Sequence, residues 1–180
     1  MKDLALHIMD ITQNSVRAGA SEIKVSVEES VLRNIIVITI TDNGSGMSED
    51  VLKKATDPFY TSRTTRKVGM GLPLFKMNAE MSGGGLTVTS APGKGTTVVG
   101  TFRNDHIDRP PMGDLGSTIA LLISGNPSVS FYFSFLFENE KWEISTPEIK
   151  EAAGDTPLSS AAVTRYLKEM INENINALKS

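Results

Sequence analysis

The chain has 180 residues, 39% of them hydrophobic and 15 of them glycine, enough for one full domain with an appendage but not for a large multidomain enzyme. Eighteen Lys and Arg against 21 Asp and Glu give a net charge of −3, with no basic block of the kind that tracks a phosphate backbone, so nucleic acid is excluded as a main partner. The lack of cysteine removes disulfides, thiolate metal sites and a cysteine nucleophile, and two histidines leave little for a His-based metal centre.

Asp3 is expected to cap a helix over about Leu4–Ala18, where Leu4, Ile8, Ile11 and Ser15 recur at helical spacing and Gly19 supplies the stop. His7 and Asp10 interrupt it as they would no signal-peptide core, and the longest aliphatic run, Ile35–Ile38, is far too short to span a bilayer. A soluble, cytoplasmic chain without membrane contact is therefore expected. Ile23, Val25 and Val27 alternate with polar residues, and after a turn near Ser30–Asn34 the run Ile35–Thr41 follows, predicting two antiparallel strands. Thr41–Gly46 reads as a glycine-rich turn, with Ser48 capping a short helix and Thr56–Val68 forming a Thr- and Arg-rich loop. Gly69-Met70-Gly71 opens a helix to about Met81, and Leu86–Ser90 and Thr96–Phe102 form a hairpin. The order helix, strand, strand, helix, strand, strand predicts an α+β two-layer sandwich, a mixed and mostly antiparallel sheet with helices on one face.

Arg109-Pro110-Pro111 marks 105–114 as a linker, dividing the chain into 1–104 and a small α/β unit over 115–180. That unit is read as a helix over about Leu115–Ser124, strands Val129–Phe137 and Lys141–Ser145, a short helix after Pro147, and a last helix over about Ser160–Leu178. Its aromatic residues, Phe131 to Phe137 with Trp142, are expected to pack into a small core of their own.

His7, Asp10, Asn14 and Arg17 fall on one helical stripe facing away from the aliphatic one. It is either a solvated face or a set of hard oxygens for Mg²⁺ beside a phosphate chain. Asp42-Asn43-Gly44-Ser45-Gly46 is either a plain turn or a carboxylate held where a planar base can approach bare backbone and offer it an exocyclic amine. Gly69-Met70-Gly71 is either a simple helix entry or a set of amide donors for phosphate. Neither a GxxxxGK[ST] loop nor a completed GxGxxG is present.

Taken together, a DxxxN helix, a DxGxG turn, a Thr/Arg loop, a GxGL helix start and a GxGT hairpin resemble the Bergerat-fold ATPases. This is the family of gyrase, heat-shock chaperone, histidine kinase and mismatch-repair ATP-binding domains, and the likeness covers about residues 3–104. Pro58-Phe59-Tyr60-Thr61-Ser62 is similar to a stretch of the histidine-kinase lid. The resemblance implies an ATP site at Asn14, Asp42, Gly44, Gly46, Met47, Gly69, Met70, Gly71, Leu72 and Thr96, with Asn14 as the Mg²⁺ ligand. Within it Asp42 and Gly46 would hold adenine, Thr96 would place a hydroxyl near the base, and Gly69 and Gly71 would bind phosphates. Thr56–Val68 would be the lid, where Thr61, Arg63, Arg66 and Lys67 approach the γ-phosphate or are simply solvated.

Two departures stand out. Asp10 occupies the place of the family's general-base Glu, shorter by one methylene, about 1.5 Å of bond length, and Lys67-Val68 replaces a Gly-containing pair before the GxGL. The chain begins three residues before the first helix, so no phospho-acceptor hairpin is expected ahead of it. The resemblance then implies a slow ATPase or a protein kinase acting in trans, as in stand-alone anti-sigma-type serine kinases. The alternative is a non-catalytic switch in which ATP orders the lid to expose or hide a partner surface. Expected partners are ATP, an unidentified protein and, as an open question, a second copy of the chain.

Overall fold

The computed structural model describes residues 3–57, 59 and 71–180. Helix α1 (Leu4–Arg17) begins where Asp3 accepts the Leu6 N–H at 2.8 Å. Strands β1 (Glu22–Ser30) and β2 (Ile35–Asp42) pair antiparallel, with Val25 opposite Ile40 and Val27 opposite Ile38. Helix α2 (Glu49–Ala55) is capped by Ser48, whose hydroxyl accepts from the Val51 N–H. Then come α3 (Gly71–Met81), the hairpin β3 (Gly85–Ala91) and β4 (Gly95–Arg103), α4 (Leu115–Gly125), β5 (Ser130–Phe137), β6 (Glu140–Ser145), α5 (Thr146–Ala153) and α6 (Ala161–Lys179). The strands form one sheet in the order β3-β4-β2-β1-β5-β6, mixed because β5 runs parallel to β1. Alternation decides the layers: Ile23, Val25 and Val27, Ile36, Ile38 and Ile40, and Phe131, Phe133 and Phe135 point to one buried face. The expected α+β sandwich is the fold that forms. No helix among the described residues is long and apolar enough to cross a membrane.

Residues 115–180 differ from the expected unit with its own core. β5 lies against β1 in register, Val25 opposite Phe133, and the aromatic strand shares one hydrophobic cluster with α1, β1 and β2. The physical reason is that β1 has an edge to satisfy, and a parallel strand carrying Phe at every second position extends both the ladder and the apolar face. The 105–114 segment likewise straps down the start of α1. The Pro111 and Met112 carbonyls accept from the Leu4 and Ala5 N–H groups at 2.9 Å, donors that a helix cannot satisfy internally. At the far end of β5, Glu138 grips the β1–β2 turn, accepting from the Ser30 hydroxyl at 2.6 Å and the Val31 N–H at 2.9 Å. The Ser30 bond, helped by the turn amides, holds the Glu138 carboxyl below its usual range.

Helices α4 and α6 meet at Asp114, which caps α4 by accepting from the Ser117 N–H and from the Asn172 side chain, both at 2.9 Å. Burial alone would raise its pKa, but the Ser117 and Asn172 bonds and nearby Lys168 outweigh it and bring the carboxyl from 3.8 to about 2. A folded-state pKa below the unfolded one stabilises the fold above the unfolded value and is lost as pH falls through the folded one. Because the Asp114 side chain is 46% exposed, screening trims the effect. Asp114→Asn is expected to lower stability at pH 7 by about 1 kcal/mol, the gap to wild type closing between about pH 4 and pH 2. Urea unfolding across that range checks it.

Candidate functional site

The end of β2 organises one end of the sheet. Asp42, its last residue, is buried and lies opposite Thr96 of β4 and Ile23 of β1. Both carboxylate oxygens are held: Oδ2 accepts from the Ser15 hydroxyl of α1 at 2.6 Å and Oδ1 from the Gly44 N–H at 2.8 Å. A carboxylate has about four lone-pair sites, so the pair of bonds fixes the orientation and leaves acceptor capacity for a ligand amine. The Gly44–Met47 strand of chain is then pinned from both sides. The Ser45 N–H meets the Ala18 carbonyl at the end of α1, the Gly93 N–H meets the Ser45 carbonyl, and the Met47 N–H meets the Ser90 hydroxyl at 2.8 Å. At Gly46, φ is +71° and a Cβ would stand 2.0 Å from the Ala91 carbonyl oxygen, so no side chain fits there. The Ser90 hydroxyl donates to the Gly95 carbonyl and shares a 2.8 Å bond with Thr96 Oγ1. Thr96 is therefore the donor in that bond and keeps its lone pairs for an amine or a water.

The second half of the site lies between α1 and α3. Gly71 opens the described part of α3, and a Cβ there would sit 3.6 Å from Asn14 Nδ2 and 3.8 Å from the Asp10 Cβ. Leu72 is buried behind it. Asn14 is half-buried, and its Oδ1 accepts from the exposed Arg17 guanidinium at 2.7 Å. Asp10, Asn14, Asp42, Gly44, Gly46, Met47, Gly71 and Thr96 thus belong to one end of the α1–sheet–α3 layer. Gly69, Met70, Thr61, Arg63, Arg66 and Lys67 lie outside the described residues, and of the lid motif only Phe59 is described, almost fully exposed.

One expectation needs correcting. The polar stripe of α1 does not face away from the core throughout: His7 is 1% exposed, stacks on Phe75 of α3 with ring centroids 5.1 Å apart, and bonds Asn78 through Nε2 at 2.7 Å. α3 packs along that side of α1, so the first residue of the stripe becomes a helix–helix contact. Ser15, placed with the aliphatic residues by periodicity, is buried but serves as the donor that orients Asp42. The signal that could have exposed it was a hydroxyl standing in an otherwise Leu/Ile stripe. Ser15→Ala removes one neutral donor from a buried carboxylate that keeps its second, so ATP affinity is expected to fall several-fold, about 0.5–1.5 kcal/mol. Calorimetric titration of the variant checks this.

The arrangement suits a nucleotide chemically. Buried Asp42 keeps acceptor capacity of the kind an exocyclic amine needs, and Gly71, at the start of α3, lies close to Asp10 and Asn14 of α1, where a helix N-terminus favours phosphate. Among the described residues no cluster of three or more His, Asp or Glu side chains could hold a metal by itself. A donor set of one carboxamide oxygen fits Mg²⁺, which takes one or two protein oxygens and completes its shell with phosphate and water.

Comparison with known proteins agrees. The chain is 34% identical over 113 residues to the signal transduction histidine-protein kinase AfsQ2 of Streptomyces coelicolor, covering 61% of this chain and 20% of that protein. It is 34% identical over 104 residues to the sensor protein SrrB of Staphylococcus aureus, covering 55% and 17%, and 31% identical over 111 residues to a non-motile and phage-resistance protein of Caulobacter vibrioides, covering 57% and 13%. The chain therefore spans a fifth or less of the length of these relatives. Its fold is similar to the N-terminal domain of a DNA repair protein, with a TM-score of 0.55 at 15% identity, covering 88% of this chain and 59% of that one. That share exceeds residues 2–106, so the structural likeness takes in part of the C-terminal strands and helices. Residues 2–106, more than half of the chain, match the family described as histidine kinase-, DNA gyrase B-, and HSP90-like ATPase, and the chain belongs to that family as an ATP-binding domain of the histidine-kinase-like type.

Proposed function

We propose that this domain binds Mg²⁺-ATP and passes the γ-phosphoryl group slowly to water or to a side chain of another protein. The observation that supports this reading best is the closeness of Gly71, at the start of α3, to both Asn14 and Asp10. That closeness supports reading the start of α3 as the phosphate-binding end, Asn14 as the metal ligand and Asp10, one turn earlier on the same face of α1, as the nearby carboxylate. Asp42 takes the adenine amine, with Gly44, Gly46 and Met47 as the wall against which the base lies and Thr96 beside it. Gly69 to Leu72 supply amide donors to the phosphates. Bound Mg²⁺, held by Asn14, neutralises charge on the phosphate chain.

Asp10 orients the attacking oxygen and accepts its proton as the new O–P bond forms and the bond to the β-phosphate oxygen breaks, leaving ADP. An aspartate reaches less far than a glutamate, so a general base that needs about 3 Å or one bridging water works slowly here. The lid residues Thr61, Arg63, Arg66 and Lys67 would meet the γ-phosphate, and residues 115–180 would dock a protein partner, with the division at 105–114 as the limit of the nucleotide domain. A cytoplasmic setting suits this use of ATP.

Incubation with Mg²⁺ and γ-labelled ATP tests the reading, with Asp10→Asn as the control. Wild-type protein is expected to release free phosphate or to label an added protein. Asp10→Asn is expected to lose turnover by about 10²–10⁴-fold, the range for a general base, while its nucleotide affinity stays near wild type. Equal turnover by the variant would overturn the role of Asp10. Bound ATP with neither product would favour the non-catalytic switch.

A further inference from the structure

We propose that Asn43 is a positioning residue, which aims the Asp42 carboxylate and joins it, through a single peptide plane, to the first residue of β5. The inference rests on the reading of Asp42 as the residue that meets the base. Asn43 is exposed, yet its side chain is tied down. Oδ1 accepts from the Ser21 N–H at 2.9 Å and the Glu22 N–H at 3.0 Å, which uses both lone pairs, and Nδ2 donates to the Ser21 hydroxyl at 2.9 Å. Its own N–H reaches the Glu22 carbonyl at 3.3 Å. Four bonds thus fasten one residue of the turn after β2 to Ser21 and Glu22, where β1 begins.

Two residues further on, the Ser45 N–H meets the Ala18 carbonyl at 2.9 Å, so the turn is anchored on both sides of Gly44. No slack is left between the anchors: a Cβ on Gly44 would stand 2.9 Å from both the Cβ and the carbonyl oxygen of Ala18. Because a peptide unit is planar, holding Asn43 and Ser45 sets the direction of the Gly44 N–H, the donor that holds Asp42 Oδ1 at 2.8 Å. Ser15 acts on the other carboxylate oxygen directly, and Asn43 acts on this one through the backbone.

The same clamp also faces the C-terminal segment. The Ser21 carbonyl and the Glu22 N–H belong to one rigid peptide unit and point in opposite directions. The N–H meets Asn43, and the carbonyl accepts from the Ser130 N–H at 2.9 Å. Ser130 opens β5 and lies opposite Glu22. An amine bound to Asp42 restrains the turn, and the restraint reaches Ser130 through two hydrogen bonds and the plane between them, where it is read as slower amide exchange.

Calorimetric titration with Mg²⁺-ATP and residue-resolved amide hydrogen exchange test both halves, with circular dichroism as the control for folding. Asn43→Ala is expected to bind ATP about three- to tenfold more weakly, the net effect of a lost neutral hydrogen bond, and its Ser21 and Glu22 amides to exchange faster. Asn43→Asp keeps acceptor oxygens for both N–H groups and for the Ser21 hydroxyl, so it is expected to restore the slow exchange and most of the affinity. In the wild type ATP is expected to slow exchange at Ser130, a response lost in Asn43→Ala and kept in Asn43→Asp. If the wild type does not bind ATP, the reading of Asp42 fails and the positioning role fails with it. If the wild type binds ATP but Asn43→Ala binds it equally well, or Asn43→Asp rescues nothing, or Ser130 does not respond to ATP, the site stands and the role of Asn43 is wrong.

Discussion

Replacing Asp42 by Asn is expected to weaken ATP binding by about 10- to 100-fold while leaving the fold intact, in line with the loss of one hydrogen bond to a charged group. The geometry says which way the amide turns. The Gly44 N–H can only donate, so the amide oxygen takes the Oδ1 position, and the amide nitrogen faces Ser15, whose hydroxyl can accept. The fold therefore keeps both contacts. The ligand loses its own bond, because its amine now meets a neutral amide whose NH₂ stands where a carboxylate oxygen stood. Calorimetric titration, with circular dichroism as the control for folding, measures the change.

Phe75→Ala is expected to cost about 3–5 kcal/mol, the usual price of emptying a buried Phe site. Phe75 is fully buried on α3 and lies between His7 of α1 and Phe102 of β4, with ring centroids 5.1 and 5.7 Å away. The sheet is shaped to receive it: a Cβ on Gly100 would come within 2.5 Å of the ring, so the strand approaches there with no side chain. For a chain of this size the loss corresponds to a fall in Tm of about 10 °C, from roughly 2–4 °C per kcal/mol. Because Phe75 holds the helix whose first turn faces Asn14 and Asp10, ATP affinity is expected to fall along with stability, and thermal melts with and without nucleotide separate the two.

The local elements were legible because each is written in a short window. Asp3 and Ser48 are capping residues before helical runs, and the alternation of Ile23, Val25 and Val27 shows a half-buried strand without reference to anything distant. The placement of Asp10 and Asn14 on α1 and of Asp42 at the end of β2 was legible for the same reason, since a helix of known period and a turn of fixed spacing set them relative to their own element. What the sequence could not show was partnership across distance. Phe131, Phe133 and Phe135 announce one buried face, but nothing local says that β5 pairs parallel with β1, more than a hundred residues away. The 105–114 segment reads as a linker by its prolines, yet a proline keeps its carbonyl, and Pro111 uses it to accept from the first turn of α1. Ser15 was hidden by its size, since a small residue fits an aliphatic stripe and only its partner, Asp42, reveals the hydroxyl's purpose. His7 was hidden by its polarity, because Phe75 and Asn78, the residues that make it a core contact, lie on a different helix.

Asp42, held by Ser15 and Gly44, is proposed to read the base of a bound nucleotide. Adenine presents an amine donor at its 6-position where guanine presents an oxygen acceptor, and a carboxylate can satisfy only the first. Titration of the wild-type protein and Asp42→Asn with ATP and with GTP, both in Mg²⁺, tests this in one experiment. Wild type is expected to bind ATP at least about tenfold more tightly than GTP, and Asp42→Asn to narrow the gap, because its amide can donate to the guanine oxygen. Equal affinity of the wild type for both nucleotides, or an unchanged preference in Asp42→Asn, would contradict it.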